Sequence, residues 1–258
     1  KYIYQVIQLN RQELLMDELV GEIKIGTTIG TNALLENKGA KTALLVTTGY
    51  KDLLEIGHQN RQYLFSLNTK TEKRFWNKSF EIGGRIDSSG KVLKALEKKQ
   101  LKAVIETNGL KNFDSIAIAL INSYVNPDHE RLVARQLQAM GIDNVVVSHR
   151  SSPMLGYVDR ANTAVVDAYL LLLLQKYVGS LKKALGRISF SIMQSHGGLT
   201  DAENFQGRNS ILSGPAGGVI GAVKTAKCKG FRKIICFDMG GTSTDVAHYN
   251  DNYEHRSQ

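Results

Sequence analysis

Six consecutive apolar residues, Ile116-Ala117-Ile118-Ala119-Leu120-Ile121, constrain the fold of this chain most. With no polar interruption, the run suits a strand buried on both faces, as strands of a parallel sheet are. Helix-like stretches bracket it. Val92 to Asn108 has helical spacing and stops at Gly109, and Asp128 to Met140 repeats that spacing and stops at Gly141. Val145-Val146-Val147 is a further strand, and Lys41 to Thr47 an earlier β-rich run. Strand–helix–strand alternation predicts an α/β fold with helices packed on a sheet.

The remaining segments extend this pattern. Lys1 to Leu9 reads as a strand, Arg11 to Leu19 as a helix and Gly21 to Ile25 as a strand. Gly26-Thr27-Thr28-Ile29-Gly30-Thr31-Asn32 is a turn leading into a helix through Glu36, with Thr31 or Asn32 as cap and Gly39 as stop. Tyr50 to Ile56 reads as a helical turn or two, and Glu81 to Asp87 as a strand feeding a turn. Ser151-Ser152-Pro153 and Gly156 break the pattern, which predicts two regions, 1–150 and 151–258. In the second region a long helix runs from about Ala161 to Leu185, followed by a strand from Ile188 to Gln194. A helix then opens at Ser213-Gly214-Pro215-Ala216-Gly217-Gly218, and Ile234-Ile235-Cys236-Phe237 reads as a buried strand.

That last strand runs into Asp238-Met239-Gly240-Gly241-Thr242-Ser243-Thr244-Asp245. Paired glycines let a backbone turn tightly and approach a ligand closely. The amides of such a turn form a concave anion site, to which Thr242, Ser243 and Thr244 add hydroxyl donors. Asp238 can hold a hydrated Mg²⁺, which favours one or two carboxylates plus phosphate oxygens. The motif therefore reads as a phosphate clamp, with a plain β-hairpin turn as the alternative. Ser213 to Gly218 is open between a helix N-terminus for an anion and close packing of small residues. His58, Asn60 and Arg61 form a polar cluster in which Arg61 can fork onto a carboxylate. His196 can carry a proton or serve structurally.

The net charge of +9 admits nucleic acids or acidic small molecules as partners. The basic residues are dispersed, and the groups at 70–74 and 98–102 lack interleaved aromatics, so no nucleic-acid partner is expected. Ala161 to Val178 contains Asp167, Gln175 and Lys176, a poor membrane span. Cys228 and Cys236 read as buried free thiols, which suits the cytoplasm.

Taken in order, these blocks resemble the hydantoinase A/5-oxoprolinase family. The resemblance rests on Gly26 to Glu36, Ala43 to Tyr50, Gly57-His58-Gln59-Asn60-Arg61, Asp159-Arg160-Ala161-Asn162-Thr163, Val166 to Leu170, Met193 to Thr200, Ile211 to Gly218 and Asp238 to Asp245. Gly198-Leu199-Thr200-Asp201-Ala202 and Ser243-Thr244-Asp245-Val246 look most like the bacterial 5-oxoprolinase branch. The resemblance implies ribonuclease-H-like domains of the actin-like ATPase type, the first nearly complete and the second only begun. An upstream phosphate hairpin and a downstream adenosine region would lie outside this sequence, so the chain reads as an interior piece.

The implied chemistry is ATP-driven opening of a lactam, 5-oxo-L-proline to L-glutamate. Amide resonance makes the ring carbonyl a poor electrophile, and phosphorylating its oxygen lets water add. By the resemblance, Gly240, Gly241, Thr242, Ser243 and Thr244 hold ATP phosphates, Asp238 holds Mg²⁺ and Asp245 orders the loop or the metal's waters. Asn60 and Arg61 are the candidates on the substrate side. The implied partners are a hydantoinase B-like domain or subunit and further copies in an oligomer. The alternatives are an N-methylhydantoinase, the ATP-using subunit of a ketone carboxylase, or a catalytically silent remnant.

Overall fold

The computed structural model describes residues 21–59, 74–239 and 244–253. In chain order the first elements are β1 (Glu22–Ile25), α1 (Ile29–Glu36), β2 (Thr42–Thr47), α2 (Leu53–Ile56), β3 (Lys78–Ile82), β4 (Arg85–Ile86), β5 (Val92–Lys94) and α3 (Lys98–Thr107). They are followed by β6 (Ser115–Ala119), α4 (Asp128–Ala139), β7 (Val145–Val147), α5 (Ser148–Ser151) and α6 (Tyr157–Leu185). The last are β8 (Ser189–Met193), β9 (Leu199–Asp201), α7 (Gly207–Ser210), α8 (Ser213–Cys228), β10 (Lys233–Met239), β11 (Thr244–Asn250) and β12 (Asn252–Tyr253). The class is α/β, as the alternation predicts. The strand expected at Lys1 to Leu9 and the helix expected at Arg11 to Leu19 lie outside the described residues.

Two compact units divide the chain, one made of residues 33–173 and the other of 1–32 with 174–258. The 33–173 unit is built on a four-stranded sheet, order β3-β2-β6-β7, parallel throughout. Every residue of β2 and β6 is buried, because helices cover both faces. On one face Leu45, Ile116 and Ile118 pack with Leu101, Ile105, Val133 and Leu137 of α3 and α4. On the other, Leu44, Val46, Ala117 and Ala119 meet Ala161, Ala164, Val165 and Ala168 of α6. The alanines let α6 lie close to the strands. By length and hydropathy α6 is the one described helix able to cross a membrane, but that alanine face is a core face.

In the other unit β1 runs parallel to β8, and β8 pairs with β9 in a hairpin. β10 and β11 form a second hairpin that β12 extends. The face bearing Ile235, Phe237, Met239 and Val246 is exposed, each residue more than 60% accessible. The strand expected to be buried is therefore covered on one side only. Neither cysteine is buried: Cys228 is exposed at the end of α8, and Cys236 is half-covered on β10.

Other boundaries differ for local reasons. Val92 to Lys94 is a strand rather than the start of a helix, because it pairs with Arg85 and Ile86 across a turn tied by Asp87. Helix α1 begins at Ile29 and its first bond runs from the Asn32 N–H to the Thr28 carbonyl, so Thr28 holds the cap position in place of Thr31 or Asn32, with Thr27 Oγ1 meeting the Ile29 N–H at 3.3 Å. The left-handed residue after α1 is Asn37, while Gly39 lies against the ring of Tyr169, where a Cβ would come within 2.1 Å of a ring carbon.

Leu44→Ala removes a fully buried side chain between sheet and helix. We expect a loss of about 2–5 kcal/mol, read as a melting temperature lower by roughly 5–15 °C. Leu93→Ala, at an exposed position, should stay within about 0.5 kcal/mol of the parent.

Candidate functional site

The strands that carry Asp238 and Asp245 pair as an antiparallel hairpin, the alternative that the sequence left open beside an anion site. Phe237 pairs with Val246, Asp238 with Asp245 and Met239 with Thr244. The carboxylates of Asp238 and Asp245 thus stand directly opposite each other on one face, at the last rungs before the loop. Gly240, Gly241, Thr242 and Ser243 lie outside the described residues, as do Asn60 and Arg61. Asp238 reaches toward α8: a Cβ on Gly218 would stand 3.9 Å from Asp238 Oδ2.

Small residues set the first turn of α8 against the loop after β1. A Cβ at Gly214 would come within 2.6 Å of Thr28 Cγ2 and 3.2 Å of the Thr27 backbone. Ser213 Oγ donates to the Thr27 carbonyl at 2.7 Å, and the Leu212 N–H donates to Thr31 Oγ1 at 2.9 Å. Leu212 takes a left-handed conformation, φ 59°, to make this join. The two Gly/Thr-rich motifs therefore interlock, and the packing reading of Ser213 to Gly218 has a concrete cause. His196 sits exposed in the β8–β9 turn, where its Nδ1 lies 3.2 Å from the Gly198 N–H.

A second polar constellation lies at the carboxyl edge of the parallel sheet in the 33–173 unit, the edge where open α/β sheets bind ligands. Glu130, fully buried on α4, accepts from Leu120 N–H at 2.8 Å, Ser148 Oγ at 2.5 Å and His149 N–H at 3.0 Å. His149 Nδ1 lies 2.6 Å from Oε2, the oxygen that also takes the His149 N–H, while the other two bonds go to Oε1. Arg160, also fully buried, donates to Ser148 Oγ at 3.1 Å and to the carbonyls of Met154 and Leu120 at 2.9 Å each. Burial pushes the Arg160 guanidinium below its usual range, against the pull of Glu130. The charges are compensated, which a buried pair requires.

Tyr157 opens α6 and donates to the Ala119 carbonyl at 2.8 Å, while the Thr47 N–H reaches its oxygen at 3.3 Å. Its ring meets Tyr50 edge-on at 5.3 Å. Two residues on, Asp159 Oδ1 lies 2.7 Å from Nε2 of His58. Two motifs about a hundred positions apart thereby meet in one pair. A carboxylate on one ring nitrogen fixes the orientation and tautomer of a histidine and leaves the other nitrogen free to exchange a proton.

These partners were missed in sequence, although Glu130 left a trace: it falls on the Glu130–Val133–Leu137 stripe that α4 buries. Among the described residues no group of three metal-ligating side chains occurs.

Burial pushes the Tyr157 phenol up to about 12. A raised phenol supports the fold while protonated. Its contribution is complete below the unfolded value, about 10, and is lost as pH climbs toward about 12. Phenolate absorbance should show one late-titrating tyrosine that is missing in Tyr157→Phe. That variant should also lose about 1–3 kcal/mol at neutral pH, since the Ala119 carbonyl and Thr47 N–H lose their partner.

Comparison with known proteins accords with this architecture. Residues 2–141 match the hydantoinase/oxoprolinase N-terminal region and residues 160–258 match hydantoinase/oxoprolinase. The 5-oxoprolinase of Dictyostelium discoideum is 36% identical over 92% of the chain, which spans 22% of that protein's length. An acetone carboxylase in a nucleotide-free structure superposes with a TM-score of 0.76 at 25% identity, covering 88% of this chain and 35% of that one. The ATP-dependent caprolactamase of Pseudomonas jessenii gives 0.75 at 28% identity, covering 95% and 37%. With both of its halves matched in order, the chain belongs to the hydantoinase/oxoprolinase family.

Proposed function

We propose that this chain is the phosphate-handling part of an ATP-dependent enzyme that opens a cyclic amide, 5-oxo-L-proline, to L-glutamate. The observation that carries the reading is the Asp238–Asp245 pair near the loop end of the hairpin, beside Gly218 of α8. Like charges directly opposite in a ladder repel. A hard divalent cation taking one or two carboxylates plus phosphate oxygens relieves that repulsion, so the donor set fits Mg²⁺. When bound, the ion neutralises charge on the phosphates. Asp238 and Asp245 would hold it, directly or through water. The amides and hydroxyls of Gly240, Gly241, Thr242 and Ser243, with Thr244 at the start of β11, would take phosphate oxygens, following the family motif.

The protein's part is positioning and charge neutralisation around the transferred phosphoryl group. Once the carbonyl oxygen carries phosphate, water attacks the ring carbon, the C–N bond breaks as the nitrogen takes up a proton, and the acyl phosphate that remains is cleaved by a second water to L-glutamate and inorganic phosphate; these steps fall to a hydantoinase B-like domain or subunit. The likeness to an acetone carboxylase supports a second reading, phosphoryl activation of a ketone.

The test is ADP release by the full-length protein with its hydantoinase B-like partner. We expect release to depend on 5-oxoproline, with hydantoin, caprolactam and acetone giving little. Asp238→Asn should lower the rate at least about a hundredfold while leaving thermal stability nearly unchanged, since Asp238 is exposed. ADP release that is equal with and without lactam would overturn the proposal, and preference for acetone would favour the second reading.

A further inference from the structure

Several cations near the carboxyl edge of the parallel sheet are already engaged. Arg74 pairs with Glu55 and Arg131 with Asp128, while Arg160 donates to Ser148 and to the carbonyls of Leu120, Met154 and Leu155. Arg85, half-buried on β4, makes no ion pair among the described residues. Its guanidinium lies over the Tyr50 ring, 5.4 Å from the centroid, and its Nη2 is 3.4 Å from the Tyr50 hydroxyl. Stacking orients the planar fork and leaves its remaining N–H groups for an outside acceptor.

The surroundings fix Arg85 in place. Gly84, at φ +90°, is backed by the His129 ring, 3.0 Å from where a Cβ would stand. Asn122 Nδ2 donates to the Ile86 carbonyl at 2.9 Å. Asp87 Oδ1 ties the following turn by accepting from Ser89 and Lys91 N–H groups, each at 2.9 Å. Tyr50 follows the end of β2 and meets the ring of Tyr157 edge-on, two residues before the Asp159 that holds His58. A fixed, partly desolvated guanidinium is built to receive a planar anion, and a carboxylate matches its fork.

We propose that this edge is the substrate subsite and that Arg85, with the Tyr50 hydroxyl, binds a carboxylate on the substrate. The inference rests on the lactam reading and sharpens it. Among the candidate substrates 5-oxoproline bears a carboxylate, whereas hydantoin, caprolactam and acetone do not. Arg85 is thus a specificity residue that selects a carboxylated lactam.

Binding of 5-oxoproline and of 2-pyrrolidinone, the same ring without the carboxylate, tests this by calorimetry on the full-length protein without nucleotide. The parent should favour 5-oxoproline at least about tenfold. Arg85→Gln should bring that ratio near one and leave 2-pyrrolidinone binding within about twofold of the parent. Arg85→Lys should restore part of the ratio, since it returns the charge without the fork. Tyr50→Phe keeps the stacked ring and should reduce the ratio a few-fold, and Arg131→Gln should leave it intact. A parent with no preference, or a ratio that survives Arg85→Gln, overturns the proposal even if lactam-driven ADP release holds. If the ratio collapses in Arg85→Gln while no lactam drives ADP release, the carboxylate subsite stands and the ATP-dependent reading fails.

Discussion

The carboxyl edge of the parallel sheet depends on one buried carboxylate. Glu130 gathers the backbone after β6, the hydroxyl and amide that follow β7, and a histidine ring into one set of bonds. Ser148 passes that anchorage to Arg160, and Arg160 passes it to the chain before α6. The chain after β6, the chain after β7 and the chain before α6 are therefore referenced to the same side chain. No buried side-chain polar atom lacks a partner among the described residues, so the network is complete. Breaking one member strands the others in a low-dielectric interior, where an unpaired charge is costly.

The hairpin unit relies on close approach instead of charge. Gly214 touches Thr27 and Thr28, and Gly30 sits where a Cβ would come within 2.0 Å of Ser210 Oγ. Serine and threonine hydroxyls then stitch the loops that the absent side chains allow to meet. Glycine is required here for contact distance, and side chains of any other size would force the strand and helix apart. Asp238 inherits its position from that spacing, because Gly218 belongs to the same helix.

The central strands were legible because nothing polar interrupts them, and β2, β6 and β7 all fall on apolar runs. Helix α4 was legible for its stripe and its stop at Gly141. Pairing between distant segments was not, since periodicity carries no register; Val92 to Lys94 reads as helix until Arg85 and Ile86 are found beside it. Coverage of one strand face was equally hidden, and the apolar spelling of Ile234 to Phe237 overstated its burial. The carboxylate pair of the hairpin was legible as chemistry. Its cross-strand register was not, nor was the meeting of His58 with Asp159. These depend on where two loops end up, which local sequence does not encode.

The bare face of the β10–β11 hairpin distributes stability unevenly. Its rungs are held by backbone bonds and by one helix, with water against Phe237 and Val246 on the other side. Opening such a hairpin gives up little buried area, so its amides should exchange with solvent by local fluctuation, while those of β2 and β6 wait for global unfolding. The rungs at Asp238 and Asp245 are then held less firmly than those of β2 and β6. A ligand that bridges those carboxylates would register as slowed exchange along the whole hairpin, well beyond the atoms it touches.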